Sequence, residues 1–394
     1  MQSRVSVDVM ESLVLIHERL KRLETQAGAL VPELCAPLSA HPAWQVNART
    51  NKQWLLRVTL VDELCTWVLE NLDPNSRIYR GINKKRTPEG RKRKAEQYVI
   101  EHLALGKMLH PLEPVDPLFT DADYEDESMK QQILPGLYPE FRILVRASLQ
   151  KVRELDTSQV PAVQWPWIAQ ELKKRKYKAN RLQDLQDYLV GAGAARKPRL
   201  GQASPGVTEK MVALVLRYMC MGAFDSNFHG SVPGRWAQEL PGFVECFASP
   251  FNHKFRTYYT MFEQDREFGS SGNFFAMLAM TDGILPPGRY EMNPPWMNAM
   301  YEGLEEVMRR TLEARRDVLV VVMGPNWTDT QWIPGLTQVM HDAPEEYGKH
   351  SMHVRKDMQY VQDMTDVNFA YDTVAWVFSK RPVPPKVLEL FGKR

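Results

Sequence analysis

Val318-Leu319-Val320-Val321-Val322 constrains this chain more than any other stretch. An unbroken aliphatic run of strand length, rich in β-branched residues, leaves no polar face for water. It reads as a strand buried on both faces. Such strands lie inside largely parallel sheets, with helices packed above and below. The neighbouring sequence agrees. Residues 297–315 carry Met300, Leu304, Val307 and Leu312 at helical spacing. Phe243 to Ala248, a segment around Gly288 to Met292, and Phe369 to Ser379 read as further strands, and Val212, Val215 and Met219 mark a helix over 207–221. Strand and helix alternate, which predicts a doubly wound α/β sheet.

The first half has a different rhythm. Leu13, Ile16, Leu20 and Leu23 keep a three-to-four spacing, as do Leu60, Leu64, Trp67 and Leu72, and Phe141, Val145, Leu149 and Val152. These are core-facing helix stripes with no β alternation among them. Pro111, Pro114, Pro117 and the acidic run Asp121 to Glu127 predict a loop between helices. A segment rich in Gly, Ala, Pro and basic residues runs from Gly191 to Gly206. With 394 residues the chain exceeds one ordinary core. The expected division is a mostly α-helical domain over 1–200 and an α/β domain over 201–394.

Composition excludes several classes. A hydrophobic content of 44% and a charged content of 25% belong to folded proteins rather than disordered ones. The net charge of +2 announces no nucleic-acid partner by itself, so any basic footprint is local. Cys35, Cys65, Cys220 and Cys246 lie far apart, which argues against structural zinc or a disulfide framework and for a reducing compartment. No apolar run reaches membrane-spanning length and the N-terminus has no signal-peptide core, so no membrane partner is expected.

Open α/β sheets bind ligands beyond the carboxyl ends of their strands. Two motifs fall there. Ser249-Pro250-Phe251-Asn252 follows the first strand, and Asn293-Pro294-Pro295-Trp296 follows the strand near Gly288 to Met292. The second suits methylation of an exocyclic adenine nitrogen. That amine is a poor nucleophile because its lone pair is delocalised into the ring. Two hydrogen-bond acceptors on its N–H groups favour a pyramidal nitrogen. The Asn293 side-chain carbonyl can supply one and the Pro294 carbonyl the other. Two prolines stiffen the turn in advance, and Trp296 offers a face on which an extruded base stacks. The usual Gly-rich cofactor loop is missing; Ala248-Ser249-Pro250 stands in its place.

That atypical loop makes a specific match. Glu245-Cys246-Phe247-Ala248-Ser249-Pro250-Phe251-Asn252 resembles a segment of the phosphorylated-CTD-interacting-factor family of cap-specific adenosine-N6 methyltransferases. The resemblance continues through Phe255-Arg256, Phe268-Gly269-Ser270, Gly272, Gly288, Glu291, Asn293 to Trp296, Pro325, Trp327, Glu346-Tyr347 and His353. It implies a Rossmann-like class I methyltransferase fold, S-adenosyl-L-methionine as cofactor, and the capped 5′ end of mRNA as partner, methylated at its first transcribed adenosine. Asn293, Pro294, Pro295 and Trp296 are then the catalytic set, with Trp296 where the family's best-known members have Phe. Phe247, Ala248, Ser249, Pro250 and Asn252 would line the cofactor site. Those members also carry a WW module; Trp165-Pro166-Trp167 does not read as one, so recruitment by the phosphorylated polymerase tail is not implied.

The remaining candidates rest on chemistry alone. Asp265 and Glu263 fall where a second strand should end, and a carboxylate there accepts hydrogen bonds from ribose hydroxyls in dinucleotide folds. Phe268-Gly269-Ser270 allows close approach to a cofactor because Gly lacks a Cβ. Lys84 to Lys94 is a bipartite basic cluster, fitting either a nuclear address or a phosphate-binding surface; location is nuclear on the first reading and cytoplasmic on the second. Lys173, Lys174, Arg175 and Lys176 form another candidate RNA-binding cluster. Trp327, Trp332 and Tyr347, expected in loops, are aromatic candidates for a cationic methylguanine. His341, His350 and His353 fit no metal motif and are expected in a loop and hairpin. Similar turns serve enzymes that methylate internal RNA adenines, DNA adenines or a protein glutamine amide. A catalytically inactive RNA-binding scaffold is the alternative of a different class.

Overall fold

The computed structural model describes residues 48–71, 136–156, 162–174, 180–191, 197–221, 234–295, 298–325, 332–342, 348–354, 359–362, 365–368, 373–380 and 382–391, with a few single positions between. The stripe at Leu13 to Leu23, the loop at 111–127 and the cluster at Lys84 to Lys94 lie outside them. Residues 43–394 form one compact unit.

Among the described residues five helices precede the sheet's first helix: α1 (Ala48–Asn71), α2 (Tyr138–Arg153), α3 (Trp165–Lys174), α4 (Asn180–Val190) and α5 (Pro205–Cys220). The α2 stripe is the one expected, with Phe141, Val145, Leu149 and Val152 buried. Helix α5 opens on Pro205, whose missing N–H costs nothing in a first turn. Its residues Met211 to Cys220 are all buried, so α5 is the central helix rather than the amphipathic one its stripe suggested. Trp54, Leu60 and Leu64 of α1 share a core with α5, and Asn51 Nδ2 donates to the Glu209 carbonyl at 3.2 Å.

A short helix α6 (Gly234–Glu239) precedes the sheet. The strands are β1 (Phe243–Glu245), β2 (Thr257–Tyr258), β3 (Gly288–Met292), β4 (Val318–Pro325), β5 (Gly348–Val354), β6 (Gln359–Gln362), β7 (Thr365–Asn368) and β8 (Thr373–Ser379). Helices α7 (Phe274–Met280), α8 (Asn298–Glu313), α9 (Trp332–Asp342) and α10 (Pro385–Phe391) interleave with them. The six-stranded sheet runs β2-β1-β3-β4-β8-β5, and β6 pairs with β7 separately. Strands β2, β1, β3 and β4 are parallel, whereas β8 lies antiparallel between β4 and β5.

The aliphatic run of β4 is buried on both faces, as its composition required. Val318, Val320 and Val322 join one core with Leu304 and Met308 of α8 and Leu336 of α9. Leu319, Val321 and Met323 join the other with Trp236 of α6 and Val387 of α10. Helices therefore cover both sides of a mixed α/β sheet. At its neighbour, Tyr301 of α8 donates its hydroxyl to the Met323 carbonyl at 2.9 Å, tying the helix after β3 to the end of β4.

Two expectations change. The region of His341, His350 and His353 is the end of α9 and strand β5, not a loop and hairpin; among the described residues no group of side chains could hold a metal ion. Trp332 begins α9 rather than lying in a loop. Among the described residues no helix is long and apolar enough to cross a membrane.

Candidate active site

Chain order reverses direction across the sheet at β1. From β1 the chain moves outward to β2, then returns to the other side of β1 to form β3 and β4. A crevice opens at such a switch point beyond the carboxyl ends of the strands. Those ends are Glu245 and Met292, and the two turns singled out from the sequence follow directly.

The turn after β1 is closed on itself. Ser249 N donates to Asn252 Oδ1 at 2.8 Å and Ser249 Oγ donates to the same oxygen at 2.9 Å. Ser249 Oγ in turn accepts from the amides of Phe251 and Asn252, both at 3.2 Å. Ser249 and Asn252 are buried. These side chains hold a sharp turn at the end of the strand by hydrogen bonding, where a phosphate-binding loop uses the backbone freedom of glycine. Pro250 is buried, whereas Phe247 and Ala248 are half-buried. The Phe247 ring meets Phe274 edge-on at 5.0 Å and Phe275 at 5.8 Å.

Asn293 and Pro295 are half-buried and Pro294 is buried. Trp296 lies outside the described residues, as do Trp327, Tyr347, Arg175 and Lys176. Lys173 and Lys174 are exposed at the end of α3, with Lys174 paired to Glu171 at 2.5 Å.

The loop after β2 differs from its sequence reading. The strand is two residues long, and Glu263 and Asp265 lie on a 3-10 helix, Glu263–Phe268. Asp265 is turned inward and fully buried. Its Oδ1 meets Arg217 Nη2 at 2.7 Å, and its Oδ2 accepts the Tyr218 hydroxyl at 2.6 Å. No oxygen is left at the surface for the ribose role read from the sequence. Glu263 is likewise engaged, with Arg266 and with the Asn273 amide at 2.9 Å. Burial pushes the Asp265 pKa up, against the opposing pull of Arg217. The brace joins α5 to the loop, and Tyr218 also packs edge-on against Phe251 and Phe262. Phe268 is buried in the helical core, while Gly269 is exposed with φ +87. A Cβ on Gly269 would come within 3.2 Å of the Tyr188 hydroxyl on α4.

Sequence reasoning gave no role to two glutamates. Glu245 ends β1 and lies in register with Glu291, the penultimate residue of the parallel strand β3, and both are buried. Glu245 Oε2 accepts the amides of Lys254 at 2.7 Å and Phe255 at 3.1 Å. Among the described residues Glu291 Oε1 has no hydrogen-bond partner. Desolvation lifts Glu245 from 4.5 to about 7 despite its two amides. It lifts Glu291 further above the carboxylate range, with the Glu245 charge adding to the rise. The available signal was an acid at or beside the end of each apolar strand; their register is a property of the sheet.

The fold is a mixed α/β sheet covered by helices on both faces, with a topological switch point between β1 and β3, the place where such sheets bind ligands. A family model described as the phosphorylated CTD interacting factor 1 WW domain matches residues 201–363. Those residues are similar to the phosphorylated-CTD-interacting-factor family, in keeping with the motif resemblance. In this chain they run from the start of α5 to the β6–β7 pair and include both turns. Two relatives are each named mRNA (2'-O-methyladenosine-N(6)-)-methyltransferase, one from Homo sapiens and one from Mus musculus. Each is 28% identical over 170 residues, covering 37% of this chain. The chain spans 23% of the length of each relative.

Proposed function

We propose that the protein is an S-adenosylmethionine-dependent RNA methyltransferase acting on the N6 of the first transcribed adenosine beside an m7G cap. One observation carries the reading. The turn after β1 and the Asn293-Pro294-Pro295 turn after β3 stand at neighbouring carboxyl ends at the switch point, and Asn293 is half-buried with no hydrogen bond to another described residue. The names of the two relatives supply the substrate class. On this reading the sheet is Rossmann-like, residues 1–200 support RNA binding, and the protein is nuclear.

The residues present suit such a cofactor. Half-buried Phe247, set against Phe274 and Phe275, presents an apolar face for its adenine. Ala248 and Gly269 let backbone approach it closely. When bound, S-adenosylmethionine supplies an electrophilic methyl on a cationic sulfur. The Asn293 carbonyl and the Pro294 carbonyl accept the two N6–H bonds of the target adenine and aim the nitrogen lone pair. The proline pair holds both acceptors before substrate arrives, so little reorganisation accompanies the transition state. The methylated nitrogen then loses one proton to solvent, so no strong general base is required. Recruitment by the polymerase tail is not part of the proposal.

The test is methyl transfer from labelled S-adenosylmethionine to short RNAs beginning with adenosine, bearing either an m7G cap or a 5′ triphosphate. Cap-dependent N6-methyladenosine is expected. Equal transfer to both removes cap specificity. Transfer to neither, with donor bound, directs attention to DNA or protein substrates. Asn293→Ala should lower kcat by about 100-fold or more, as loss of one positioned donor or acceptor does, while donor affinity stays nearly unchanged. Loss of donor binding in that variant would place Asn293 in a different role.

A further inference from the structure

We propose that Glu245 and Glu291 are positioning residues: a carboxyl pair that holds a proton between its members and sets the spacing of the β1 and β3 ends, and with it the aim of the Asn293 amide. This rests on the reading of those ends as the active site. The geometry begins with register. Glu245 lies opposite Glu291, and in-register parallel neighbours point to the same face. That face carries Phe243, Leu319 and Val321, so the carboxyl groups stand in an apolar layer. They are 2% and 1% exposed.

Two ionised carboxylates in such a layer repel each other, and one proton between them removes the conflict. The hydrogen-bond inventory needs the same proton. Glu245 has two backbone donors on Oε2, yet Glu291 Oε1 has none among the described residues. A carboxyl O–H is the donor that the pair itself can provide.

The surroundings do not neutralise the charge otherwise. From the loop after β1, Lys254 draws the Glu245 pKa down, but less strongly than burial raises it. The Cys246 thiol, in the core on the other face of the sheet, is itself pushed up by burial and by both acids. His253 stacks on Tyr258 at 4.0 Å with Nδ1 against the Phe255 carbonyl, and Arg256 is exposed. On β3, Arg289 is exposed and donates to the Pro241 carbonyl at 3.4 Å. Strand β4 offers Val321 and Met323 on this face, α6 offers Trp236, and α10 offers Val387. At the α6–α10 contact Glu239 is paired with Lys386 at 2.7 Å. Glu291 stands two residues before Asn293, so a change in strand spacing at Glu291 passes directly to the acceptor.

Two readouts test this. The first ignores activity: difference infrared spectroscopy of the folded protein at neutral pH, wild type against Glu245→Gln/Glu291→Gln. A protonated-carboxyl band present in the first and lost in the second is expected. The second is kcat against pH from acid to alkaline through the value of about 7 for Glu245, with the pair read as a unit. Wild-type kcat should decline on the alkaline side. Glu291→Gln cannot lose a proton and should flatten that decline. Glu291→Ala should lower kcat by about 10- to 100-fold through misplacement of Asn293, with donor Kd within about threefold of wild type. Thermal unfolding of each variant checks that the fold persists. Absence of the band, or a Glu291→Gln profile that follows wild type, overturns the proposal. Wild-type protein that shows the band but neither binds donor nor transfers methyl overturns the methyltransferase reading, and the positioning role with it, while leaving the shared proton standing.

Discussion

Replacing Arg217 by Met tests the link between the helical layer and the candidate active site. The guanidinium and the Asp265 carboxylate meet at 2.7 Å with side chains 1% and 0% exposed. Solvent screening is absent at that burial, so the small values typical of surface pairs do not apply. Removing one partner leaves Asp265 buried with the Tyr218 and Thr260 hydroxyls as donors and without the Arg217 cation beside it. The expected cost is about 3–5 kcal/mol, the range for an orphaned buried charge. The double replacement Arg217→Met/Asp265→Leu removes both charges. It should recover most of that loss, short by about 1–3 kcal/mol because the Tyr218 hydroxyl then loses its hydrogen bond to Asp265. Urea unfolding of the three proteins gives these differences directly. Lowering the pH supplies an independent arm. Burial already raises the Asp265 pKa, and loss of Arg217 raises it further, so acid neutralises the orphaned carboxyl and the single variant's deficit should shrink. A single-variant cost below about 1 kcal/mol, or a deficit that grows in acid, would refute the reasoning.

Three further outcomes follow from other features. Ser249→Ala removes the hydroxyl that donates to Asn252 and accepts two amides; it should cost about 1–3 kcal/mol in denaturant unfolding and weaken S-adenosylmethionine binding in calorimetry. Gly272→Ala should cost about 1–3 kcal/mol by thermal unfolding, because φ is +97 and a Cβ would sit 2.5 Å from Glu263 Oε2. For Glu245 the folded-state pKa is raised from 4.5 to about 7. Its stabilising contribution is therefore fully present below 4.5 and lost as pH rises through about 7, an effect of about 3 kcal/mol. Unfolding free energies across that window should decline for wild type and lose this slope in Glu245→Gln.

The sheet was legible where burial is dictated by composition. Val318 to Val322 demanded two covered faces and has them. The expected strand near Gly288 to Met292 is observed at those residues, while Phe243 to Ala248 shortens to Phe243–Glu245 because Ser249 and Asn252 bend the chain out of the sheet. Helices expected over 207–221 and 297–315 are observed at Pro205–Cys220 and Asn298–Glu313. Of the strand expected from Phe369 to Ser379, Thr373–Ser379 is described. The site was harder. Asn293 and Ser249 announce themselves by local chemistry. Asp265 looked like a ribose ligand because its partners, Arg217 and Tyr218, lie 48 and 47 residues away along the chain. Glu245 and Glu291 show the same limit: only strand pairing reveals that two unremarkable acids are neighbours.

Phe251, Phe262 and Phe268, which follow β1 and β2, are members of the helical core alongside Trp54, Val145 and Leu214. Ring contacts between Trp54 and Phe262 at 5.8 Å and between Tyr218 and Phe251 at 5.2 Å cross from one set to the other. The loops after β1 and β2 thus draw part of their rigidity from side chains such as Trp54, which enters the chain about two hundred residues earlier. In hydrogen exchange, the amides of α1, α5 and the 246–269 segment should open together as one foldon rather than in separate steps. A fragment starting near residue 200 would keep both turns and the Tyr218 contacts of α5, yet lose the Trp54 and Val145 side of the core that Phe251, Phe262 and Phe268 share.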